Sequence, residues 1–144
     1  MDMETGISRR LKMSGMILFL TGLITGFLIM TMQNPRMALA AHLEGIMNGI
    51  FLVITGIIWN ELYLSGSLKK ILFWTLIYGT FTNWSFTLLA AILGTSKMTP
   101  IAGEGFSSTQ FHENLITAGL ALVGLTMAFS LVIIVYGLRG KASG

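Results

Sequence analysis

The amino-acid sequence predicts an all-α protein, a polytopic membrane protein built as a bundle of four transmembrane helices. Hydrophobic residues make up 53% of its 144 residues and charged residues only 10%, whereas soluble domains carry roughly a quarter charged residues. Four apolar runs, at about 13–32, 39–64, 71–93 and 113–138, each reach the roughly 20 residues that a helix needs to cross a bilayer. A helix in the core of a small soluble protein would not need that length.

The connections between the runs predict the topology. The first and second runs are joined by QNPRMA and the second and third by SGSLKK, both short, while residues 94–111 form a long connection that contains proline and glycine. Short turns imply antiparallel neighbours. The basic residues then lie on one side of the membrane, except for Arg36 and Lys97. The positive-inside rule therefore predicts that both termini are cytoplasmic. We expect one transmembrane domain, residues 1–144, in the inner (cytoplasmic) membrane.

Charge distribution and cysteine content exclude several classes of function. The nine basic residues are scattered at the edges of the apolar runs rather than gathered in one patch, so we expect no binding of nucleic acid. The chain contains no cysteine, which excludes disulfides, zinc sites built on thiolates and covalent haem attachment through a CxxCH motif. The lipid bilayer is thus the first expected partner.

One polar segment, AHLEGIMNG at residues 41–49, interrupts the second apolar run. On a helix, His42 shares a face with Gly45 and Gly49, so an imidazole stands beside a trough of missing side chains that could hold a planar ring. An ionisable group inside a membrane is a candidate functional residue because its desolvation is costly. Two structural alternatives stay open. The glycines could serve ordinary helix packing, and His42 could be hydrated or bonded to a carbonyl.

Two polar stripes are expected to meet inside the bundle. Glu44 and Asn48 are four residues apart on the second helix, and Thr80, Asn83 and Thr87 follow the spacings three and four on the third, so each set projects from one helix face. The asparagines could contact a substrate or form interhelical hydrogen bonds. Glu44 is interpreted as a carboxylate that interacts with the helix dipole or extends its charge towards the interface.

Two of these segments carry a resemblance to a known family. AHLEGIMNG, and YGTFTNWSFTLLAAILG in the third helix, are similar to segments of the membrane isomerases that include styrene oxide isomerase and hydroxylaminobenzene mutase. The resemblance implies that His42 is the axial ligand of a ferric haem b, beside Gly45 and Gly49. It also implies that Asn48 and Asn83 orient the substrate, and that the protein is a homotrimer with haem near the subunit interface.

One residue that differs from the styrene oxide isomerase pattern favours the hydroxylaminobenzene mutase branch of the family. Styrene oxide isomerases have a tyrosine four residues after the second asparagine, and that position is Thr87 here. We therefore expect an isomerase, a mutase that rearranges a small aromatic arylhydroxylamine to an aminophenol, with Asn48, Asn83 and Thr87 as its catalytic residues and the haem iron as a Lewis acid.

Three alternatives remain open at the level of the sequence. Isomerisation of an aryl epoxide to an aldehyde is the alternative within the family. Membrane transport would be expected to show broken helices or paired acidic groups at the centre of the membrane. Electron transfer would usually need two axial histidines on facing helices, and the only other histidine is His112, at the start of the fourth apolar run.

Overall fold

The computed structural model describes residues 3–140, and all regular structure in this part of the chain is helical. Its four α-helices are α1 (Met3–Phe27), α2 (Pro35–Ile58), α3 (Gly66–Leu93) and α4 (Gln110–Leu138). Two short 3-10 turns, Ile29–Thr31 and Trp59–Glu61, follow α1 and α2. Each α-helix is long and apolar enough to cross a membrane, which confirms the predicted all-α architecture of four membrane helices.

The helix starts are set by capping residues outside the apolar runs. The side chain of Asn34 accepts the backbone N–H of Met37 (3.1 Å), and Pro35 occupies the first helical position. Ser65 and Thr109 cap α3 and α4 in the same way. Such side chains satisfy N–H groups that the first turn leaves without partners. Every helix therefore begins before its predicted apolar run, and α1 does so by the most because its polar first turns are also helical.

The helix ends differ from the predicted ends in the first half of the chain. α1 ends at Phe27 and α2 at Ile58, each followed by a 3-10 turn, whereas the apolar runs continue to about residues 32 and 64. Hydrophobicity alone does not distinguish these two conformations. α3 ends at Leu93, and its C-cap residue Gly94 has a φ of 63°, in the left-handed region that glycine adopts without steric cost.

The helices pack in chain order, and α1 and α2 are the most closely packed pair. Their crossing is built from glycine: a Cβ atom on Gly45 would lie 2.5 Å from Cα of Gly22, so the two backbones are in direct contact. α2 and α4 both pack against α3, and Ser130 of α4 donates a hydrogen bond to Thr75 of α3 (2.8 Å). Because α2 and α4 flank α3 without packing extensively on each other, a gap remains between them.

Buried apolar side chains form two clusters, one towards each end of the bundle. The larger joins α1, α2, α3 and α4 and includes the fully buried Trp59. The smaller lies where the chain passes from α3 to α4 and includes Met37 and Ile116. The outward faces of the helices are apolar as well, with many large hydrophobic side chains exposed. An apolar exterior is what contact with lipid hydrocarbon requires.

The segment between α3 and α4, residues 94–109, folds back over one end of the helices, and we call it the roof segment. Both oxygens of the buried Glu113 accept the backbone N–H of Ser96 (3.0 and 3.2 Å), and one accepts that of Lys97 (2.9 Å). Asn34 donates to the carbonyl of Ala102 (2.9 Å). These bonds satisfy backbone groups that no regular structure would pair, and they hold the roof segment to the starts of α2 and α4.

Candidate functional site

The predicted polar stripes of α2 and α3 meet at a single carboxylate. Oε2 of Glu44 accepts hydrogen bonds from Nδ2 of Asn83 (2.5 Å) and Nδ2 of Asn48 (3.1 Å). The Asn48 contact links residues four apart on α2, and the Asn83 contact crosses from α3. The structure thus places Glu44, Asn48 and Asn83 together, and all three are partly buried. Because each amide directs its N–H groups towards Glu44, its carbonyl oxygen is free to accept a hydrogen bond from another group.

This cluster borders a cavity of about 370 Å³ in the gap between α2 and α4. α3 supplies the floor with Asn83 and Thr87, and most of the remaining wall is apolar, with Glu44 and Thr99 as its polar members. The other lining residues come from α2 (Met37, Ala40, Glu44), the roof segment (Met98, Thr99, Ala102) and α4 (Leu120, Val123, Gly124, Met127). Among the described residues that line the cavity, Glu44 is the only ionisable one. An apolar chamber with a few convergent polar groups is the usual form of a small-molecule site.

Thr87 lies one turn beyond Asn83 on the same face of α3, where the spacing predicted it. Its side chain is 5% exposed and lines the cavity. Two other threonines of α3, Thr75 and Thr80, donate to carbonyls of the preceding turn, whereas the Thr87 side chain makes no hydrogen bond within the described part of the chain. Its hydroxyl can therefore both donate to and accept from a molecule in the cavity.

His42 lies on a different face of α2 from this cluster. Its Nδ1 is 2.8 Å from the carbonyl oxygen of Gly22 on α1, and its ring lies over Gly26, where a Cβ atom would come within 2.7 Å of Nδ1. His42 and Glu44 are two residues apart, which separates them by about 200° around the helix axis. His42 does not line the cavity. Within one chain, the predicted iron ligand and the predicted substrate residues therefore face away from each other.

The glycine trough beside His42 is filled by α1 of the same chain. A Cβ atom on Gly45 would meet Gly22, and one on Gly49 would lie 2.7 Å from the carbonyl oxygen of Gly15 and the backbone nitrogen of Phe19. The structure thus gives both glycines the packing role that was the alternative in the sequence. Their contact with a cofactor stays a prediction.

The chemistry of His42 fits a haem ligand. A carbonyl oxygen only accepts, so the contact with Gly22 assigns the ring proton to Nδ1 and leaves the lone pair on Nε2. Histidine ligands of metals are commonly held in this way by a hydrogen bond to the other nitrogen. Nε2 has no hydrogen-bond partner among the described residues. No group of three or more His, Cys, Asp or Glu side chains within residues 3–140 could hold a bare metal ion, whereas a haem needs only one such ligand from this chain.

Glu44, Asn34 and Glu113 have structural roles that the sequence did not predict. Glu44 was interpreted as interacting with the helix dipole, but it holds both asparagines. Asn34 and Glu113 fasten the roof segment over the cavity. Asn34 could have been recognised, because an asparagine followed by proline is a signal for a helix start. The partners of Glu44 and Glu113 lie on other elements, where spacing along one helix carries no information.

Comparisons with known proteins agree with this architecture. The sequence profile of the styrene oxide isomerase family matches residues 7–139 of the chain. The chain is 42% identical over 137 residues to hydroxylaminobenzene mutase HabB of Ectopseudomonas oleovorans, which covers 94% of this chain and 84% of that protein. It is 41% identical over 128 residues to hydroxylaminobenzene mutase HabA of the same organism, covering 88% and 95%. The chain belongs to the styrene oxide isomerase family and is a multi-pass membrane isomerase.

Proposed function

We propose that this isomerase rearranges an arylhydroxylamine, such as phenylhydroxylamine, to the corresponding 2-aminophenol, with a ferric haem b held by His42. The observation that carries the proposal is the apolar cavity whose polar groups converge at one side, with Glu44, Asn83 and Thr87 on its wall. The names of the two mutases that share about two fifths of its residues support the same reaction. The rearrangement is redox-neutral and moves a hydroxyl group from nitrogen to the ortho carbon.

The cavity suits this substrate in size and polarity. Its volume of about 370 Å³ accommodates a single substituted benzene ring, since pockets for small molecules begin at roughly 300 Å³. Apolar side chains such as Leu120, Val123 and Met127 would surround the ring. A cationic ring formed when the N–O bond breaks is trapped by water, so exclusion of water favours return of the hydroxyl group to the ring.

Asn83 and Thr87 are placed to orient the polar end of the substrate. The N–H groups of Asn83 are directed to Glu44, so its Oδ1 accepts the N–H or O–H of the hydroxylamine. The Thr87 hydroxyl, one turn further along α3, can donate to the substrate oxygen. Asn48 also bonds Glu44 but is not among the residues lining the cavity. We assign Asn48 a role in holding the cluster, and Asn83 and Thr87 the direct contacts.

His42 would hold the haem through Nε2, with its Nδ1 proton bonded to Gly22. When bound, haem b would supply a Lewis-acidic iron that could polarise the N–O bond of the substrate. His42→Ala should abolish the Soret absorption of the purified protein and leave the protein in the membrane. Phe111→Ala, at an exposed aromatic residue at the start of α4, is the control and should keep its haem. Full haem content in His42→Ala would contradict the assignment.

We further propose a homotrimer in the inner membrane, with haem near the subunit boundary. The support is that His42 and the cavity face opposite sides of α2 in one chain, so a haem on His42 of one subunit could face the cavity of the next. Co-expression of His42→Ala and Asn83→Leu chains tests this. Activity in the mixed oligomers, when neither variant is active alone, is the expected result. A monodisperse monomer that binds haem in mild detergent would contradict it.

Isomerisation of an aryl epoxide to an aldehyde is the second candidate, favoured by the family profile that the chain matches. The purified protein should convert phenylhydroxylamine to 2-aminophenol under anaerobic conditions, without nicotinamide, and should act poorly on styrene oxide. The reason is Thr87, which offers a smaller and less acidic donor than a phenol. Chromatography of both anaerobic incubations separates the candidates. Phenylacetaldehyde from the epoxide, without aminophenol from the hydroxylamine, would reverse the proposal.

A further inference from the structure

The mechanism above leaves one reactive group of the cavity without a chemical role. Glu44 is the only ionisable side chain among the described residues that line the cavity. We propose that Glu44 is a catalytic general base and acid that carries a proton from the ortho carbon of the substrate to its nitrogen. This inference rests on the proposed arylhydroxylamine reaction and adds to it the step that completes the aminophenol.

The chemistry of the rearrangement requires such a carrier. Once the hydroxyl group has moved to the ring, the ortho carbon bears both a hydrogen and the hydroxyl, and the nitrogen is an imine. Formation of 2-aminophenol then breaks the ortho C–H bond, whose electron pair restores the aromatic ring. It also forms an N–H bond with the electron pair of the C=N bond. One proton leaves carbon and one joins nitrogen, so no oxidant, reductant or net acid is consumed.

Direct transfer of this proton is unfavourable. The ortho carbon and the nitrogen are separated by one ring atom, so a direct shift would pass through a strained four-membered arrangement. A group that accepts the proton from carbon and returns it to nitrogen avoids that strain. The apolar side chains of the wall, such as Leu120, Val123 and Met127, offer no group that could act in this way. The threonine hydroxyls and the Asn83 amide that line the cavity are much weaker bases than a carboxylate.

The geometry leaves one oxygen of Glu44 for this work. Oε2 accepts from Asn83 at 2.5 Å and from Asn48 at 3.1 Å, and an oxygen with two N–H donors is not the one that carries a proton. Oε1 accepts no hydrogen bond from the described residues. The two amides thus fix the carboxylate on the cavity wall and leave Oε1 free to take up and release a proton. A held carboxylate with one free oxygen is the arrangement that general base catalysis needs.

The same carboxylate has no such task in the competing reaction. An aryl epoxide rearranges to an aldehyde by transfer of hydride between neighbouring carbons, and no proton has to move between carbon and nitrogen. The requirement for Glu44 is therefore specific to a hydroxylamine substrate. A carboxylate in this position identifies the substrate class, a ring with nitrogen attached, rather than only supporting the fold.

The test compares Glu44→Gln, Glu44→Asp and wild type, purified in detergent as full-length protein. Glu61→Gln, which removes an exposed carboxylate in the turn after α2, is the matched control and should keep the wild-type rate. We expect Glu44→Gln to lower kcat for phenylhydroxylamine by about 100-fold or more, the usual contribution of a general base. Deuterium at both ortho positions should then slow Glu44→Gln turnover, because C–H cleavage becomes rate-limiting.

A separate measurement shows that the cavity survives the substitution. 2-Aminophenol should raise the thermal unfolding midpoint of wild type and of Glu44→Gln alike. If Glu44→Gln does not fold, Glu44→Asp decides: it keeps the carboxylate on a shorter side chain and should turn over slowly with an ortho-deuterium isotope effect. A near-wild-type kcat in Glu44→Gln, or slow turnover of Glu44→Asp without an isotope effect, would overturn the role of Glu44. If wild type forms no aminophenol at all, the proposed function fails instead.

Discussion

Substitution of Gly45 by alanine tests whether the glycine trough beside His42 is a contact between helices or a binding surface for the haem ring. The added Cβ atom would lie 2.5 Å from Cα and 3.0 Å from the backbone nitrogen of Gly22, and 3.0 Å from Trp84. Ordinary contacts between carbon atoms are about 3.5–4.0 Å. Two of the three neighbours are backbone atoms and cannot rotate away, so α1 and α2 would have to separate by roughly 1 Å to restore such contacts.

The expected loss follows from this forced separation. Overpacking of a well-packed contact costs typically 1–3 kcal/mol, and we expect about 2 kcal/mol here because the obstruction is backbone. For a chain of this size that lowers the unfolding midpoint by roughly 6 °C. Gly66→Ala is the matched control: it also replaces a helical glycine, but no atom lies within 4 Å of the new Cβ, and alanine favours the helix. Its midpoint should stay level or rise slightly.

The assay is thermal unfolding in detergent, followed by circular dichroism at 222 nm, on protein prepared with and without haem. A loss of stability in both preparations of Gly45→Ala is expected, because the contact lies within one chain. If Gly45→Ala instead unfolds at the same temperature as Gly66→Ala and loses only its cofactor, the packing account is wrong. The trough would then be a ring site.

Three further predictions concern the cavity and its cover. Asn83→Leu should lower kcat more than Asn48→Leu, by at least about 10-fold, because Asn83 alone of the two lines the cavity and loss of one oriented hydrogen bond at the reacting atoms can cost about 100- to 1,000-fold. Steady-state kinetics on both variants measures the ratio, and equal rates would contradict it. Thr87→Val keeps the shape and removes the hydroxyl, so activity should fall while the free energy of unfolding stays within about 0.5 kcal/mol of wild type, since no internal hydrogen bond is lost. Glu113→Gln removes one of two oxygens that accept backbone N–H groups, so the unfolding free energy should fall by roughly 1–3 kcal/mol and the roof segment should be cut faster by protease; unchanged cleavage would show that the roof segment is held elsewhere.

The four helices could be predicted from the sequence because a membrane allows few alternatives. A backbone in hydrocarbon must satisfy its own hydrogen bonds, so a long apolar run is helical almost by necessity. The helix starts were predicted too late because capping by Asn34, Ser65 and Thr109 depends on polar residues outside those runs. Length and hydropathy identify the part of a helix inside the bilayer, and capping determines where that helix begins.

Side-chain partners across helices were only partly predictable. Spacing placed Asn83 and Thr87 on one face of α3, and both line the cavity. Spacing also placed Glu44 beside Asn48, but it could not show that Asn83 reaches the same oxygen from another helix. A glycine on a helix face leaves room either for a neighbouring helix or for a flat ligand. The contact between Gly45 and α1 therefore could not be predicted from the sequence, and only the position of α1 in the structure shows it.

One apolar strip on the surface of α2 separates the face that carries His42 from the face that carries Glu44. Leu43, Met47 and Ile54 lie between the face of His42 and the face of Glu44, and they are about half exposed. In a lone chain, Nε2 of His42 has no partner among the described residues and the cavity between α2 and α4 lies open, and an unpaired polar group inside a membrane is costly. A neighbouring subunit laid along this strip, with an iron-bearing ring against His42, would satisfy the imidazole and close the gap with apolar contacts. In the proposed trimer, the unusual polar content of residues 41–49 would follow from one helix that contributes to two half-sites, one on each edge of the surface shared with the next subunit.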